Sequence, residues 1–314
     1  MTKVLAIGQY TDNDSAALTA EFDAVALAGP DAIAALPEEQ RAGFTALAYK
    51  GHPPLTGAHM DLLPALRVIA NFGVGYDAIE VPAATARGIV VTNTPDVLND
   101  DVADLAVAML IAQARQMPRA ENWLREGNWL HGKDLPLARK MSGRRVGILG
   151  MGRIGREIAD RLAAFKCEIH YQSRSEADPA GWTYHADPVS LAQAVDDIVI
   201  AIVGGPETEG FVSAEVIAAL GADGVIVNIS RGSVIDEDAL IQALEKGVIR
   251  GAALDVFRKE PDLDRRFLAL ENALLLPHVG SATVETRAEM GALQRRNLAA
   301  VLSGAAAVTP VNKV

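Results

Sequence analysis

The segment VGILGMGRIG, residues 146–155, constrains the fold of this chain more than any other. A short apolar run breaks into Gly150-Met151-Gly152-Arg153-Ile154-Gly155 and continues without a gap as IADRLAAF. Strand, G-x-G-x-x-G turn and helix follow one another, which is the context the motif requires. Each glycine has its own physical reason. Gly150 permits the tight turn, Gly152 lets backbone approach a pyrophosphate, and Gly155 lets helix and strand pack closely. A pyrophosphate there meets the unpaired N–H groups of a helix N-terminus. The segment therefore predicts a dinucleotide site, with an ordinary strand-to-helix turn as the alternative.

The surrounding pattern suits that prediction. Apolar, β-branched runs recur at residues 145–149, 167–172, 197–203, 224–229, 251–256 and 273–276, with amphipathic or alanine-rich stretches between most of them. Strand alternating with helix predicts a parallel sheet covered on both faces, because parallel strands need crossovers and these are usually helical. A smaller set at residues 3–7, 45–49, 67–72 and 89–93 predicts a second α/β domain. Between the two sets, residues 99–116 place Val102, Leu105, Ala106, Met109 and Leu110 at helical spacing, with Asp100 and Asp101 at the N-terminal end. Residues 117–142 carry Trp123, Trp129, His131 and Pro136 without clear periodicity, and predict an irregular arm packed on another subunit. Residues 284–302 form a last helical stretch. The expected division is 1–98 with 285–314 as one domain and 99–284, arm included, as the other, joined by helices that suit a hinge.

Composition narrows the classes. The chain is long enough, at 314 residues, for two domains. No uninterrupted apolar run approaches a membrane span, so no membrane partner is expected. MTKVLAIGQY enters a strand-like run directly, and a cytoplasmic location is expected. A single cysteine, Cys167, excludes internal disulfides and a cysteine-rich zinc site, and reads as core. A net charge of −11 without a basic stripe argues against nucleic acid as a partner. A chain this acidic must concentrate positive charge locally if its substrate is an anion.

Tyr171-Gln172-Ser173-Arg174-Ser175 follows the next strand-like run, where the adenosine ribose is usually read. An NAD site normally places Asp or Glu there. Here Ser173 and Ser175 offer hydrogen bonds and Arg174 can pair with a phosphate dianion, which predicts NADPH, the 2′-phosphorylated cofactor. A solvated loop arginine beside Glu176 is the alternative.

With these residues in place the chain resembles the D-isomer-specific 2-hydroxyacid dehydrogenases over nearly its whole length, and within them the NADPH-dependent glyoxylate/hydroxypyruvate reductases. The matching runs are Asn71-Phe72-Gly73-Val74-Gly75-Tyr76-Asp77, Val91-Thr92-Asn93-Thr94-Pro95, the glycine motif, Asn228-Ile229-Ser230-Arg231-Gly232, Ala253-Leu254-Asp255-Val256-Phe257 with Glu260-Pro261, and Pro277-His278-Val279-Gly280-Ser281-Ala282-Thr283. The resemblance implies a Rossmann-type doubly wound parallel sheet with a smaller flavodoxin-like α/β substrate domain, and a homodimer. It also implies a catalytic trio of Arg231, Glu260 and His278. Their chemistry agrees: reduction of a 2-keto acid needs a fixed cation, which a guanidinium supplies, and an acid for the developing alkoxide, which a histidine supplies. A carboxylate on the imidazole orients it and favours its protonated form.

For the substrate carboxylate the resemblance implies the backbone N–H groups of Val74 and Gly75, with Arg231; Gly51, in Tyr49-Lys50-Gly51-His52, is a candidate opposite wall. For the cofactor it implies, besides the three glycines, Arg153, Ile154, Gly205, Pro206, Ile229, Asp255, His278 and Gly280. The run Ala201-Ile202-Val203-Gly204-Gly205-Pro206 departs from the cysteine or proline usual early in that loop, and Arg258-Lys259 stands where an acid or polar pair is commoner.

Other chemistries lack their residues. No Tyr is followed four residues later by Lys, no His pair has metal-ligand helical spacing, and no G-x-S-x-G elbow exists, so no metal is expected. Gly127 to Lys133 spells G-x-x-x-x-G-K, but Asp134 replaces the required Ser or Thr. The expected activity is NADPH-dependent reduction of glyoxylate or hydroxypyruvate to the D-2-hydroxy acid. Alternatives are reduction of a bulkier substrate such as hydroxyphenylpyruvate, and a dinucleotide-sensing corepressor without turnover.

Overall fold

The structure, a computed structural model, describes residues 3–176 and 181–314. The chain divides into two compact units, Met1–Leu98 with Ala282–Val314, and Asn99–Ser281.

The first unit is built on a five-stranded parallel sheet: β1 (Lys3–Ile7), β2 (Val25–Leu27), β3 (Phe44–Tyr49), β4 (Val68–Asn71) and β5 (Val90–Thr92), in the order β2-β1-β3-β4-β5. This is the flavodoxin-like order, with its switch point between β1 and β3. The runs are continuously apolar because both faces are covered. Val4, Ala6, Ala46 and Ala48 face Leu18, Leu298 and Val301 of the helices Asp12–Phe22 and Val284–Leu302. Leu5, Ile7, Leu47 and Tyr49 face Ile33, Met60 and Leu63 on the other side. The short edge strand β2, Val-Ala-Leu, is apolar in sequence but exposes two of its three residues, and so brief a run does not stand out from the alanine-rich stretches beside it.

The second unit carries seven parallel strands: β6 (Arg145–Leu149), β7 (Glu168–Gln172), β8 (Thr183–His185), β9 (Asp197–Ile200), β10 (Val225–Asn228), β11 (Gly251–Leu254) and β12 (Ala273–Leu275). Their order, β12-β11-β10-β9-β6-β7-β8, is doubly wound, with the switch point between β6 and β9. Val146 and Ile148 meet Ala103, Ala106, Leu110, Ile158 and Leu162 of the helices Asn99–Ala114 and Arg153–Ala164. Leu149, Ile198 and Ile200 meet Leu191, Val216 and Ile217 on the opposite face. Cys167 is buried and free. The edge strand β8, Thr-Tyr-His and partly exposed, has no apolar run.

The arm is more regular than its sequence pattern. Met117–Arg125 is a helix, with Pro118 in its first turn where a missing N–H costs nothing, and Trp129–His131 is a 3-10 turn. The helix carries a short apolar stripe, Met117, Ala120 and Leu124, but has no buried residue. Met117, Leu124, Trp129, Leu130 and Leu137 are all exposed. Among the described residues no helix is long and apolar enough to cross a membrane.

Candidate functional site

In the second unit the predicted residues lie past the C-terminal ends of the strands, the edge at which open α/β sheets bind ligands, from the glycine turn at the switch point out to the edge strand β12. The glycine turn leaves β6 through Gly150, whose φ of 98° is strained for any side chain. A Cβ on Gly150 would also stand 2.7 Å from Ile202 and one on Gly155 would stand 2.0 Å from the Gly150 carbonyl oxygen, so neither place tolerates even alanine unchanged. Gly152, by contrast, faces open space and caps the helix Arg153–Ala164 without a side chain. Two glycines are closed by packing and one is left open, at the helix N-terminus that a pyrophosphate needs. The residues fit a dinucleotide on that observation.

Beyond β7, Ser173 Oγ donates to the Ser175 carbonyl at 2.6 Å, and Arg174 and Ser175 are exposed. Beyond β9, Gly205 has a φ of 151° and open space at its Cα, and Pro206 starts a 3-10 turn closed by Thr208 Oγ1 on the Val203 carbonyl.

Arg231 follows β10. Buried Asn228 fixes its backbone, donating from Nδ2 to the Arg231 carbonyl at 2.9 Å and accepting the Ser230 N–H at 3.0 Å. Ile229 lies between them, partly buried. A Cβ on Gly204 would stand 2.4 Å from Arg231 Cγ, so the bare Cα of Gly204 is what lets the Arg231 stem lie where it does. Gly204 went unassigned in the sequence; the unexplained pair Gly204-Gly205 was its signal.

Glu260 and His278 come together, from the loops after β11 and β12. His278 Nδ1 and Glu260 Oε2 are 2.7 Å apart, and Glu260 Oε1 accepts the Phe257 N–H at 2.9 Å. Both carboxylate oxygens are therefore committed, one to the ring and one to the chain. Gly232 supports this loop closely: a Cβ there would fall 1.9 Å from the Phe257 carbonyl carbon. Glu237 supports it too, accepting the Arg258 N–H at 2.6 Å, and burial raises its pKa.

His278 has a φ of 54°, a left-handed conformation costing about 1–3 kcal/mol for a residue with a Cβ. Asp255, at the end of β11, holds it there. Its carbonyl accepts the His278 N–H at 2.9 Å, and its carboxylate accepts the Val279 and Gly280 N–H groups at 2.7 and 2.8 Å. Burial raises the Asp255 pKa against the opposing pull of those two donors.

The first unit builds something different. Val74 and Gly75 follow β4, and the carbonyls around them are all tied down. Asn71 Nδ2 donates to the Gly73 and Gly75 carbonyls at 3.1 and 2.8 Å, and Asn93 Nδ2 donates to that of Val74 at 2.9 Å. Thr94 brackets Gly73, its Oγ1 accepting the Gly73 N–H at 3.0 Å. The N–H groups of Val74 and Gly75 have no partner among the described residues. Asn71, Asn93 and Thr94 stood in the matching runs without a role. Gly51 lies exposed beyond β3.

A doubly wound sheet with a glycine-rich turn at its switch point defines a Rossmann-class protein, and Arg231, Glu260 and His278 follow three neighbouring strands of it. The chain belongs to the D-isomer specific 2-hydroxyacid dehydrogenases, whose NAD-binding domain matches residues 107–280. It is 46% identical over 252 residues to a hydroxyphenylpyruvate reductase of Plectranthus scutellarioides, covering 80% of each chain. It is also 46% identical over 249 residues to a glyoxylate/hydroxypyruvate reductase A of Arabidopsis thaliana, covering 79% of each. Among solved structures it superposes with a TM-score of 0.93 and 42% identity on an NADPH-dependent glyoxylate/hydroxypyruvate reductase of Sinorhizobium meliloti in complex with NADP and malonate, over 99% of this chain and 96% of that one.

Proposed function

We propose that this protein reduces a small 2-keto acid, glyoxylate or hydroxypyruvate, to the D-2-hydroxy acid with NADPH. The observation that carries this reading is the 2.7 Å contact between His278 Nδ1 and Glu260, on a ring whose backbone Asp255 holds in a left-handed turn. A carboxylate on Nδ1 sets the tautomer and leaves the proton to be given at Nε2. Arg231 is the second unit's candidate for pairing with the substrate carboxylate and polarising the carbonyl, and the Val74 and Gly75 N–H groups are the first unit's candidates for a carboxylate. His278 then protonates the oxygen as it becomes an alkoxide, and Glu260 orients the ring for that transfer.

Gly150, Gly152, Arg153, Ile154 and Gly155 would hold the cofactor's pyrophosphate, and Ser173, Arg174 and Ser175 its 2′-phosphate. Gly205 and Pro206, after β9, would also contact the cofactor; Ile229, Asp255, His278 and Gly280 would line its nicotinamide side. When bound, the dihydronicotinamide supplies the hydride. Residues 99–284 would form the dinucleotide-binding domain and residues 1–98 with 285–314 the substrate domain. The exposed apolar side chains of the arm support a homodimer, and the one free, buried cysteine suits a cytoplasmic enzyme.

The test is oxidation of NADPH and of NADH by the wild-type chain against glyoxylate, hydroxypyruvate, hydroxyphenylpyruvate and a ketogluconate. Turnover of the first two, with kcat/KM higher for NADPH, is expected. Preference for hydroxyphenylpyruvate would move the substrate assignment, and no turnover of any 2-keto acid would overturn the enzyme reading.

A further inference from the structure

A lysine of the first unit stands where that unit's topology predicts a ligand. Lys50 is the first residue beyond β3, and Tyr10 lies in the loop after β1. β1 and β3 flank the switch point of the five-stranded sheet, and in open α/β sheets the crevice at that point receives the ligand.

The Lys50 backbone is pinned. Its N–H donates to the Ile7 carbonyl at 2.8 Å, and its own carbonyl lies under Gly8, where a Cβ would stand 1.7 Å from the oxygen. The side chain is held over aromatic faces: Nζ is 4.7 Å from the centre of the Phe72 ring and 5.5 Å from that of Tyr10. These two rings meet edge to face, and Tyr10 is fixed by a 3.0 Å bond from Gln294 Nε2. Arg287 lies against Phe72 as well, its Cζ 5.8 Å from the ring centre. Among the described residues the Lys50 ammonium has no hydrogen bond and no carboxylate within ion-pair distance. The acid that acts on it, Asp14, is engaged by Thr11 and Arg295.

A half-buried cation beside a second cation is costly to leave so; burial and the Arg287 charge both depress the Lys50 pKa, against Asp14. Aromatic faces offset a part of that cost, but an ammonium has three donors and the rings accept none of them fully. What would offset the rest is an anionic oxygen. The backbone bond from Phe72 N–H to the Tyr49 carbonyl, 2.7 Å, sets Lys50 alongside the residue that opens the Gly73-Val74-Gly75 loop, whose two N–H groups point to no protein acceptor. This is the local positive charge that an acidic chain needs to draw an anion.

We propose that Lys50 is a specificity-determining residue that binds, through Nζ, the carboxylate of the 2-keto acid received by the Val74 and Gly75 N–H groups. The inference rests on the functional reading above and names the cation by which the first unit holds its substrate. A 2-keto acid is distinguished from an aldehyde or ketone of the same shape by that carboxylate alone, so in the first unit the discrimination falls to Lys50.

Steady-state kinetics of Lys50→Met tests this. Losing a charge-assisted bond to a carboxylate should raise KM by about ten- to a hundredfold for every 2-keto acid the wild type reduces. The turnover number at saturation should change far less, and KM for the cofactor should stay at the wild-type value. Lys50→Arg should restore most of the loss. Lys50→Gln, uncharged but still polar, repeats the test should the methionine variant fail to fold. An unmoved substrate KM in a folded, uncharged variant would overturn the proposal, as would a rise confined to substrates bearing a second anionic group. Absence of wild-type turnover with any 2-keto acid is a different result: it would remove the functional reading, whereas normal turnover with an unmoved KM would remove only the role of Lys50.

Discussion

The two units fix their polar groups by different means, although the first also holds one cation, Lys50, over the Phe72 ring. In the second, charged side chains are aimed by other side chains and by glycines: Asn228 and Gly204 place Arg231, Glu260 holds the His278 ring, and Asp255 holds the His278 backbone. In the first, the main chain is aimed instead. Asn71, Asn93 and Thr94 bind the groups around Val74 and Gly75 and leave the two N–H donors over. Side chains suit the place where charge changes during reaction, because their proton can move. Backbone donors suit the place where charge only has to be held, because an amide neither titrates nor adopts other rotamers.

If that contrast is right, damage in the second unit lowers the turnover number and damage in the first raises KM. The largest effect is expected from His278→Ala, which removes the proton donor. The turnover number should fall by about 10²–10⁴-fold, while NADPH affinity measured by fluorescence titration stays near wild type. Turnover at the wild-type rate would remove the histidine from the chemistry and with it the contrast. Next comes Gly204→Ala, which touches no charge but places a methyl group against the Arg231 stem. A loss of roughly ten- to a hundredfold in kcat/KM is expected, with little change in melting temperature because the loop is only partly buried. Full activity would show that the guanidinium reaches its task by another path. The smallest effect is expected from Asn71→Ala. It frees the Gly73 and Gly75 carbonyls, and substrate KM should rise about five- to tenfold with the turnover number nearly kept. A fall in turnover number instead would mean that the loop serves the reaction itself.

Much of this was legible in one dimension, for particular reasons. Residues 146–155 spell a fold because a strand, a tight turn and a helix in immediate succession leave the backbone few choices. The long central strands are legible because burial on both faces demands unbroken apolar runs. The edge strands β2 and β8 are not: β2 is a brief apolar run beside alanine-rich stretches, and β8, Thr-Tyr-His, has no apolar run at all. The helix Met117–Arg125 is hidden for a related cause: its apolar stripe is short, and none of its residues is buried. Arg231, Glu260 and His278 could be named from motifs, yet only the spatial neighbours of each say what holds it. Asp255 was a candidate for the cofactor; that its two carboxylate oxygens also fix the Val279 and Gly280 amides has no trace in spacing.

The sequence by itself determined the two-part α/β architecture, the glycine turn and the identity of the charged residues at the strand ends. Those depend on local backbone freedom and on runs of apolar residues, both of which are properties of neighbours along the chain. Tertiary structure alone decided which groups are held and which are left over: Arg231 over Gly204, the imidazole on Glu260, the paired N–H donors of Val74 and Gly75, and Lys50 stranded over Phe72. A hydrogen bond or its absence depends on positions within a few tenths of an ångström, contributed by residues far apart in sequence, and no one-dimensional pattern carries that information.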